Sequence, residues 1–231
     1  MQRSGGAPVL VMIFTCPLCG SSLANSGEEW LRLESACYYR CTQCDLVFLD
    51  PQQRPDAEGE RSRYLEHNNS PDDPRYLAYL RGFSEEALLP HMGPPARVLD
   101  FGSGPQPVFA DVLRDMGYSV DIFDPLFAPG KAWQEKKYDA VTAVEVAEHL
   151  FEPLSEFRRL QRVLVPGGYL VLRTLLHYCD RERFRGWWYR QDPTHVSFYS
   201  PLSFQVLAEL LEMDLVEISA GRSVVLRRPG V

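Results

Sequence analysis

Arg97-Val98-Leu99-Asp100-Phe101-Gly102-Ser103-Gly104 is the stretch whose reading decides the fold. An apolar run of strand character ends in a carboxylate, then two glycines two apart lead toward a helix. That helix is expected over 107–116, with Pro107 in its first turn, Val108, Phe109, Val112, Leu113 and Met116 on one side, and Gly117 ending it. Further out, the chain keeps alternating short apolar runs with helical periodicity. Strands are expected over 97–101, 119–123, 138–144 and 169–174, the last entered through a Pro166-Gly167-Gly168 turn, and over 215–219 and 223–226. Helices are expected over 153–164 and 201–212. Upstream, Tyr76, Leu77, Leu80, Phe83 and Leu88 give 74–89 one apolar face, closed by Pro90 and the Gly93-Pro94-Pro95 break. Such alternation specifies an α/β fold: a doubly wound, mostly parallel sheet covered by helices on both faces.

At the tip of the first strand, glycines allow a ligand to approach the backbone where such sheets bind cofactors. A Gly-x-Gly alone is weak evidence. A dinucleotide fingerprint would want a third glycine at 107, where this chain has proline. Asp100 would repel a pyrophosphate but suits a cationic ammonium. Asp124, closing the next strand ahead of Pro125, stands one βαβ unit later, where an acid can accept ribose hydroxyls.

Cys16-Pro17-Leu18-Cys19 and Cys41-Thr42-Gln43-Cys44 are two knuckles spaced for a zinc ribbon, with Gly20 in the first turn and Cys37 read as a spare. The segment is too poor in large aliphatics to fold by packing alone, so a structural zinc held by Cys16, Cys19, Cys41 and Cys44 is expected to supply its stability. The domain reading is a zinc-ribbon-like module over 1–55, a linker and lead-in helix over 56–95 with 52–69 read as linker, and a ligand-binding domain over 96–231. Residues 9–14 are far too short to span a membrane, Met12 is a candidate start, and Cys179 stands apart from the other five cysteines. A net charge of -7 and a pI near 5.3 disfavour a protein that gathers nucleic acid by bulk electrostatics. The chain is read as cytoplasmic, with no membrane partner and its oligomeric state open.

Taken with Tyr138-Asp139-Ala140-Val141, Glu145-Val146-Ala147-Glu148-His149, Arg162-Val163-Leu164-Val165-Pro166-Gly167-Gly168 and Asp192-Pro193-Thr194-His195-Val196-Ser197-Phe198-Tyr199, the chain resembles the class I S-adenosylmethionine-dependent methyltransferases. Within them it is similar to bacterial small-molecule enzymes that carry an N-terminal cysteine knuckle. The resemblance implies a Rossmann-like domain with Asp100, Gly102, Ser103 and Gly104 around the methionine part of the cofactor. It further implies Asp124 and Pro125 at the ribose, and Glu145 and Val146 lining the cofactor. Two departures stand out. Gln106 occupies a position where the family often has glycine, and the chain between Asp124 and Tyr138 is too short for the usual helix, edge strand and adenine-binding acid. The sheet is therefore expected to lack its outermost strand, and the adenine contact is unassigned.

Methyl transfer needs positioning, exclusion of water and sometimes a base. His195 and His149 are the candidate bases, and each could equally be a structural hydrogen-bonder. Tyr199 could orient the acceptor or be a core tyrosine. Glu148 is read as an N-cap or ion-pair partner. Trp187, Trp188 and Tyr189 are expected to form an acceptor wall, and Arg181, Arg183 and Arg185 either meet an anionic acceptor or form a solvated loop. The reading is an S-adenosylmethionine-dependent methyltransferase acting on a small molecule, such as a sugar or another metabolite. Two alternatives remain: an RNA methyltransferase whose zinc module grips substrate, and a catalytically silent cofactor-binding or scaffold protein.

Overall fold

The computed structural model describes residues 15–23, 29–66, 70–178 and 180–230, so residues 9–14, Met12 and Cys179 fall outside it. Two sheets organise the chain. The first holds β1 (Leu31–Arg32), β2 (Cys37–Arg40) and β3 (Val47–Leu49), all antiparallel. Two helices follow, α1 (Ala57–Glu66) and α2 (Pro74–Phe83), the second running on through a wider turn, Ser84–Leu88. The second sheet then begins: β4 (Arg97–Phe101), α3 (Val108–Asp115), β5 (Ser119–Phe123), β6 (Tyr138–Val144), α4 (Pro153–Val163) and β7 (Leu164–Arg173). After α5 (Arg181–Gly186), the short β8 (Ser197–Phe198) returns to the first sheet. The chain closes with α6 (Pro201–Leu210), β9 (Asp214–Ser219) and β10 (Ser223–Arg227).

The large sheet runs β5-β4-β6-β7-β10-β9, parallel from β5 through β7, with β10 reversed between β7 and β9. Strand alternation divides its two faces. Leu99, Val141, Leu170 and Leu226 meet Phe157 and Leu160 of α4 and Phe204 and Leu207 of α6. Their neighbours Val98, Ala140, Val171 and Val225 meet Leu80 and Phe83 of α2 and Val112 and Leu113 of α3. This is the Rossmann-like arrangement expected from sequence.

As anticipated, β5 is the edge of the sheet. Between Asp124 and Tyr138 there is only a 3-10 turn, Ala132–Glu135, whose Trp133 is buried 5.1 Å from the Phe123 ring and 5.8 Å from that of Phe101. A single indole thus covers core that a longer crossover would cover.

Three expectations need correction. Residues 52–69 are not simply a linker: they contain a 3-10 turn, Pro51–Gln53, and α1. This helix buries no residue, so apolar periodicity could not reveal it. Local electrostatics favour it instead, because the Asp56 carboxylate accepts from the Gly59 N–H at 2.8 Å and Glu58 and Glu60 sit in its first turn. Second, Pro166-Gly167-Gly168 does not break the chain before a new strand; β7 runs through it, with a register slip against β6 between Tyr138 and Ala140. Third, the boundary at residue 55 does not close the small sheet, because a strand from far beyond it takes part. β8 pairs with β3 to complete that sheet, and Cys16, Leu18, Cys44 and Phe48 share a core with α4 and α6. Among the described residues, no helix is long and apolar enough to cross a membrane.

Candidate active site and cysteine tetrad

The two cysteine knuckles are built alike. In the first, the Gly20 N–H donates to the Cys16 carbonyl and the Cys16 N–H to the Ser21 carbonyl. In the second, Asp45 donates to Cys41 and Cys41 to Leu46, all four bonds at 2.9 Å. Gly20 (φ 72°) and Asp45 (φ 60°) take the same left-handed step after each pair, so the sequence expectation at Gly20 has an unforeseen twin in a non-glycine residue. The four sulfurs lie within 4.8 Å of one another, with Cys16 and Cys44, and Cys19 and Cys41, 3.5 Å apart. A tetrahedral ion with ~2.3 Å Zn–S bonds sets sulfurs about 3.8 Å apart, so the donor set fits zinc. Crowding resists multiple ionisation: hydrogen bonding with Cys16 and Cys44 holds Cys41 low, while Cys16 and Cys44 are pushed up. A divalent ion at the centre relieves that conflict. Cys37 lies outside the tetrad, its N–H bonded to the Gln53 side chain at 2.7 Å.

At the tips of β4 and β6 a cleft of about 1040 Å³ opens, floored by Asp100 and the glycine loop. Gly102 has φ 79°, and a Cβ there would fall 2.3 Å from Val146 Cγ2, so conformation and packing both demand glycine. Val146 therefore supports the loop from behind rather than lining the cleft, a correction to its assignment as a ligand contact. Asp100 is 2% exposed; Thr142 Oγ1 lies 3.5 Å from its Oδ1, and its Oδ2 has no hydrogen-bond partner. Burial pushes its pKa up to about 7. Ser103 Oγ is likewise buried and unpartnered. Orphaned polar atoms are uncommon in folded chains, and two bordering one cleft mark where a polar ligand belongs.

Asp124 closes β5 as expected, but its carboxylate is already used by the chain. Oδ2 accepts from Gly104 N–H at 2.9 Å, and Oδ1 from Leu126 and Phe127 N–H at 2.8 and 3.0 Å. Three of roughly four acceptor directions are thus taken, so this acid fixes the glycine loop and keeps one direction, on Oδ2, for a ligand hydroxyl. Pro125 is exposed and outside the cleft.

The opposite wall carries the acids and imidazoles. Glu145 lines the cleft from the end of β6 in a left-handed conformation, φ 54°. Arg173 Nε donates to the Tyr79 hydroxyl (2.9 Å), which donates to Glu145 Oε1 (2.5 Å). The Tyr189 hydroxyl lies 3.2 Å from Glu145 Oε2 and 2.5 Å from Glu148 Oε1, one phenol proton between two carboxylates. Glu148 is fully buried, and burial reinforced by Glu145 raises its pKa well above the ordinary carboxylate range. It is not the N-cap of α4, which is Glu152, and its carboxylate is held by the Tyr189 hydroxyl. His149 and His195 both line the cleft, their rings 4.8 Å apart. Each fixes Nδ1 on a backbone carbonyl, His149 on Thr194 (2.9 Å) and His195 on Tyr189 (2.7 Å).

Other assignments change. Tyr199 faces the core: its hydroxyl donates to the Ala147 carbonyl at 2.9 Å and its ring stacks on Phe204. Of the expected aromatic wall, Trp188 is exposed at the mouth and Tyr189 lines the cleft, whereas Trp187 packs beside Phe184 and Phe198. Arg181, Arg183 and Arg185 are exposed and outside the cleft, on the solvated side of helix α5 and not in a loop. The sequence reading missed α1 and α2 as walls. Tyr64 lies 5.2 Å from the His149 ring, and Arg63 pairs with Asp192 at 2.9 Å. Burial opposes ionisation of Asp192, but hydrogen bonds from Arg63 and Thr194 outweigh it and hold its pKa low.

A family model described as a methyltransferase domain matches residues 75–218. No curated protein sequence matches. Among solved structures, the chain is 14% identical to an O-methyltransferase family protein from Burkholderia thailandensis, with a TM-score of 0.50 over 77% of this chain and 65% of that one. It is also 16% identical to 1,6-didemethyltoxoflavin-N1-methyltransferase of the same organism, crystallised with 1,6-didemethyltoxoflavin and S-adenosylhomocysteine, with a TM-score of 0.51 over 83% of this chain and 99% of that one. At these identities the likeness is one of fold, and the chain spans less than two thirds of the first protein. The family match runs from α2 to β9 and takes in the glycine loop, β6 and the Glu148, His149 and His195 wall, and by it the chain belongs to the methyltransferase-domain family.

Proposed function

We propose that this chain binds S-adenosylmethionine along the glycine loop and methylates a small-molecule acceptor held in the same cleft. The observation that carries the reading is Asp100 Oδ2, a buried acceptor without a donor at the floor of a cleft roomy enough for a cofactor and a small acceptor together. An ammonium group would supply the missing donor and the compensating charge. Ser103 Oγ is a second polar contact, and Gly104, with open space where a Cβ would project, lets the ligand approach. S-adenosylmethionine, when bound, supplies an electrophilic methyl group on a sulfonium. The chain's own part is to hold, orient and dry the reactants. Asp124 keeps Gly104 in place, Tyr64 and Arg63 roof the cleft from α1, and His149 and His195 face the acceptor and govern its proton. The tetrad takes a structural zinc that ties the small sheet to α6, where Ser203 Oγ donates to the Cys44 carbonyl at 2.8 Å.

A small acceptor is favoured over RNA by burial of three of the four tetrad cysteines and by the pairing of β3 with β8. A module that shares its core with α4 and α6 is built into the fold, and the chain's net charge of -7 disfavours an RNA strand. Calorimetric titration with S-adenosylmethionine tests the reading. Wild-type protein should bind and Asp100→Asn should bind about 100-fold more weakly, as loss of a charge-assisted contact predicts. Equal affinity in the two proteins would sink this reading, and no binding by either would leave the silent-scaffold alternative in its place.

A further inference from the structure

Glu148, His149 and His195 each offer a ligand atom, and these atoms lie within 4.8 Å of one another. They come from two segments that the backbone locks together: the 3-10 turn Ala147–His149 after β6, and the loop before β8, whose Val196 N–H donates to the Glu148 carbonyl at 2.8 Å. Carbonyl oxygens only accept, so Nδ1 of each histidine is the donor, and in the neutral ring the lone pair then sits on Nε2. An imidazole fixed through one nitrogen on a backbone carbonyl is the usual bearing of a metal-bound histidine. The third group supplies an independent sign. Glu148 is 0% exposed, Tyr189 satisfies its Oε1, and its Oε2 has no hydrogen-bond partner. A fully buried carboxylate oxygen without a donor, on a carboxyl group that lies beside two imidazoles, needs a cation or a proton.

We propose that Glu148, His149 and His195 bind a divalent transition cation, and that the acceptor is a molecule that offers a hydroxyl or a pair of adjacent oxygens to its open positions. Two imidazoles with one carboxylate favour manganese, iron, cobalt or zinc over magnesium or calcium, which prefer oxygen donors throughout. Three protein ligands leave positions free, and the cleft lies on the side of His149 and His195. The site is unlike the tetrad, whose four thiolates close a tetrahedral shell. The inference builds on the proposed methyl transfer and states how the two histidines act. They hold the ion that binds and acidifies the acceptor hydroxyl, whose proton leaves to water at the cleft mouth.

Electron paramagnetic resonance of Mn²⁺ titrated into the full-length, zinc-loaded protein tests this, because manganese competes poorly for a tetrathiolate. One Mn²⁺ per chain should bind, and His195→Asn and Glu148→Gln should each weaken it about 100-fold while zinc content stays unchanged. Thermal melts establish that each variant folds; if Glu148→Gln does not, His195→Asn decides. Absence of a bound Mn²⁺ signal, or binding retained in the folded variants, overturns the site. S-adenosylmethionine titrated into the same samples separates the two claims: cofactor binding without Mn²⁺ removes the metal site alone, and Mn²⁺ binding without cofactor removes the methyltransferase reading alone.

Discussion

The tetrad and the cleft both gather polar groups in one place, by opposite routes. Each half of the tetrad is a local turn of a few residues whose backbone bonds repeat from one knuckle to the other. The cleft is assembled from α1, α2, the loop after β4, the end of β6 and residues 188–195, which extend along the chain from Arg63 to His195. The knuckles present four like donors to one centre. The cleft retains unsatisfied atoms, Asp100 Oδ2 and Ser103 Oγ, among otherwise bonded groups. Local geometry can build a closed structural site, whereas a site that must admit and release reactants needs separate elements that can move relative to one another.

The largest effect should come from the tetrad. Stripping its metal with a strong chelator should remove on the order of 10 kcal/mol, comparable to the whole stability of a domain this size. Because β8 and the Cys44 carbonyl join the small sheet to the main core, the cooperative melt and S-adenosylmethionine binding should disappear together. A chelated protein that still melts cooperatively and still binds cofactor would make the module an appendage after all. Next is Gly102→Ala. The added methyl meets Val146 and strains a φ of 79°, so about 3 kcal/mol of stability should be lost. Gly104→Ala, with φ 68° but no neighbour within 4 Å, should cost about 1 kcal/mol. Equal losses in denaturant titrations would mean that Val146 yields and does not brace the loop.

The same contrast explains what the sequence could tell. Strand alternation was legible because one period sorts Val98 from Leu99 and Val171 from Leu170 onto opposite faces. The tetrad and glycine loop were legible because their chemistry is written in consecutive residues. α1 was not, since a helix that fully buries no residue carries no apolar stripe; its signals were the Asp56 cap and the acids Glu58 and Glu60 of its first turn. His195 and Tyr199 looked alike as candidates within one short segment. Pairing of β8 with β3 and stacking on Phe204 decide that the tyrosine faces the core, and no local pattern encodes those contacts. Glu148 was misjudged for the same reason: its neighbour Tyr189 is 41 residues away.

Asp100 allows the cleft's unsatisfied state to be titrated. Its pKa is raised to about 7 by burial, against about 3.9 for an unfolded chain. The folded protein therefore binds the extra proton between those values. The stability this contributes is complete below about pH 4 and is lost as pH rises through about 7. Ligand-free protein should lose up to a few kcal/mol over that window, and Asp100→Asn should flatten the profile. Affinity for S-adenosylmethionine should move the opposite way, rising about tenfold per pH unit below 7 and levelling above it, since the ammonium needs the carboxylate. Calorimetry from pH 5.5 to 8.5 reads both arms. A flat affinity profile in the wild-type protein would separate Asp100 from the ligand.

The smallest effect concerns the roof. Arg63 and Asp192 form the ion pair that ties α1 to the loop carrying His195, with side chains 35% and 10% exposed. A half-exposed pair of this kind contributes about 1 kcal/mol. Arg63→Ala should therefore speed hydrogen exchange of the α1 amides about fivefold and leave the main sheet unchanged. Asp192 has a second task, accepting from the Thr194 N–H at 3.0 Å and hydroxyl at 2.6 Å in the turn that presents His195. Asp192→Asn should thus loosen both α1 and the 192–196 loop, and in the double variant the α1 effect should not add, because both changes break one contact. If Arg63→Ala leaves exchange in α1 unaltered, the helix is held over the cleft by Tyr64 against His149 and Phe127, and the roof is hinged on an aromatic contact instead of a charge.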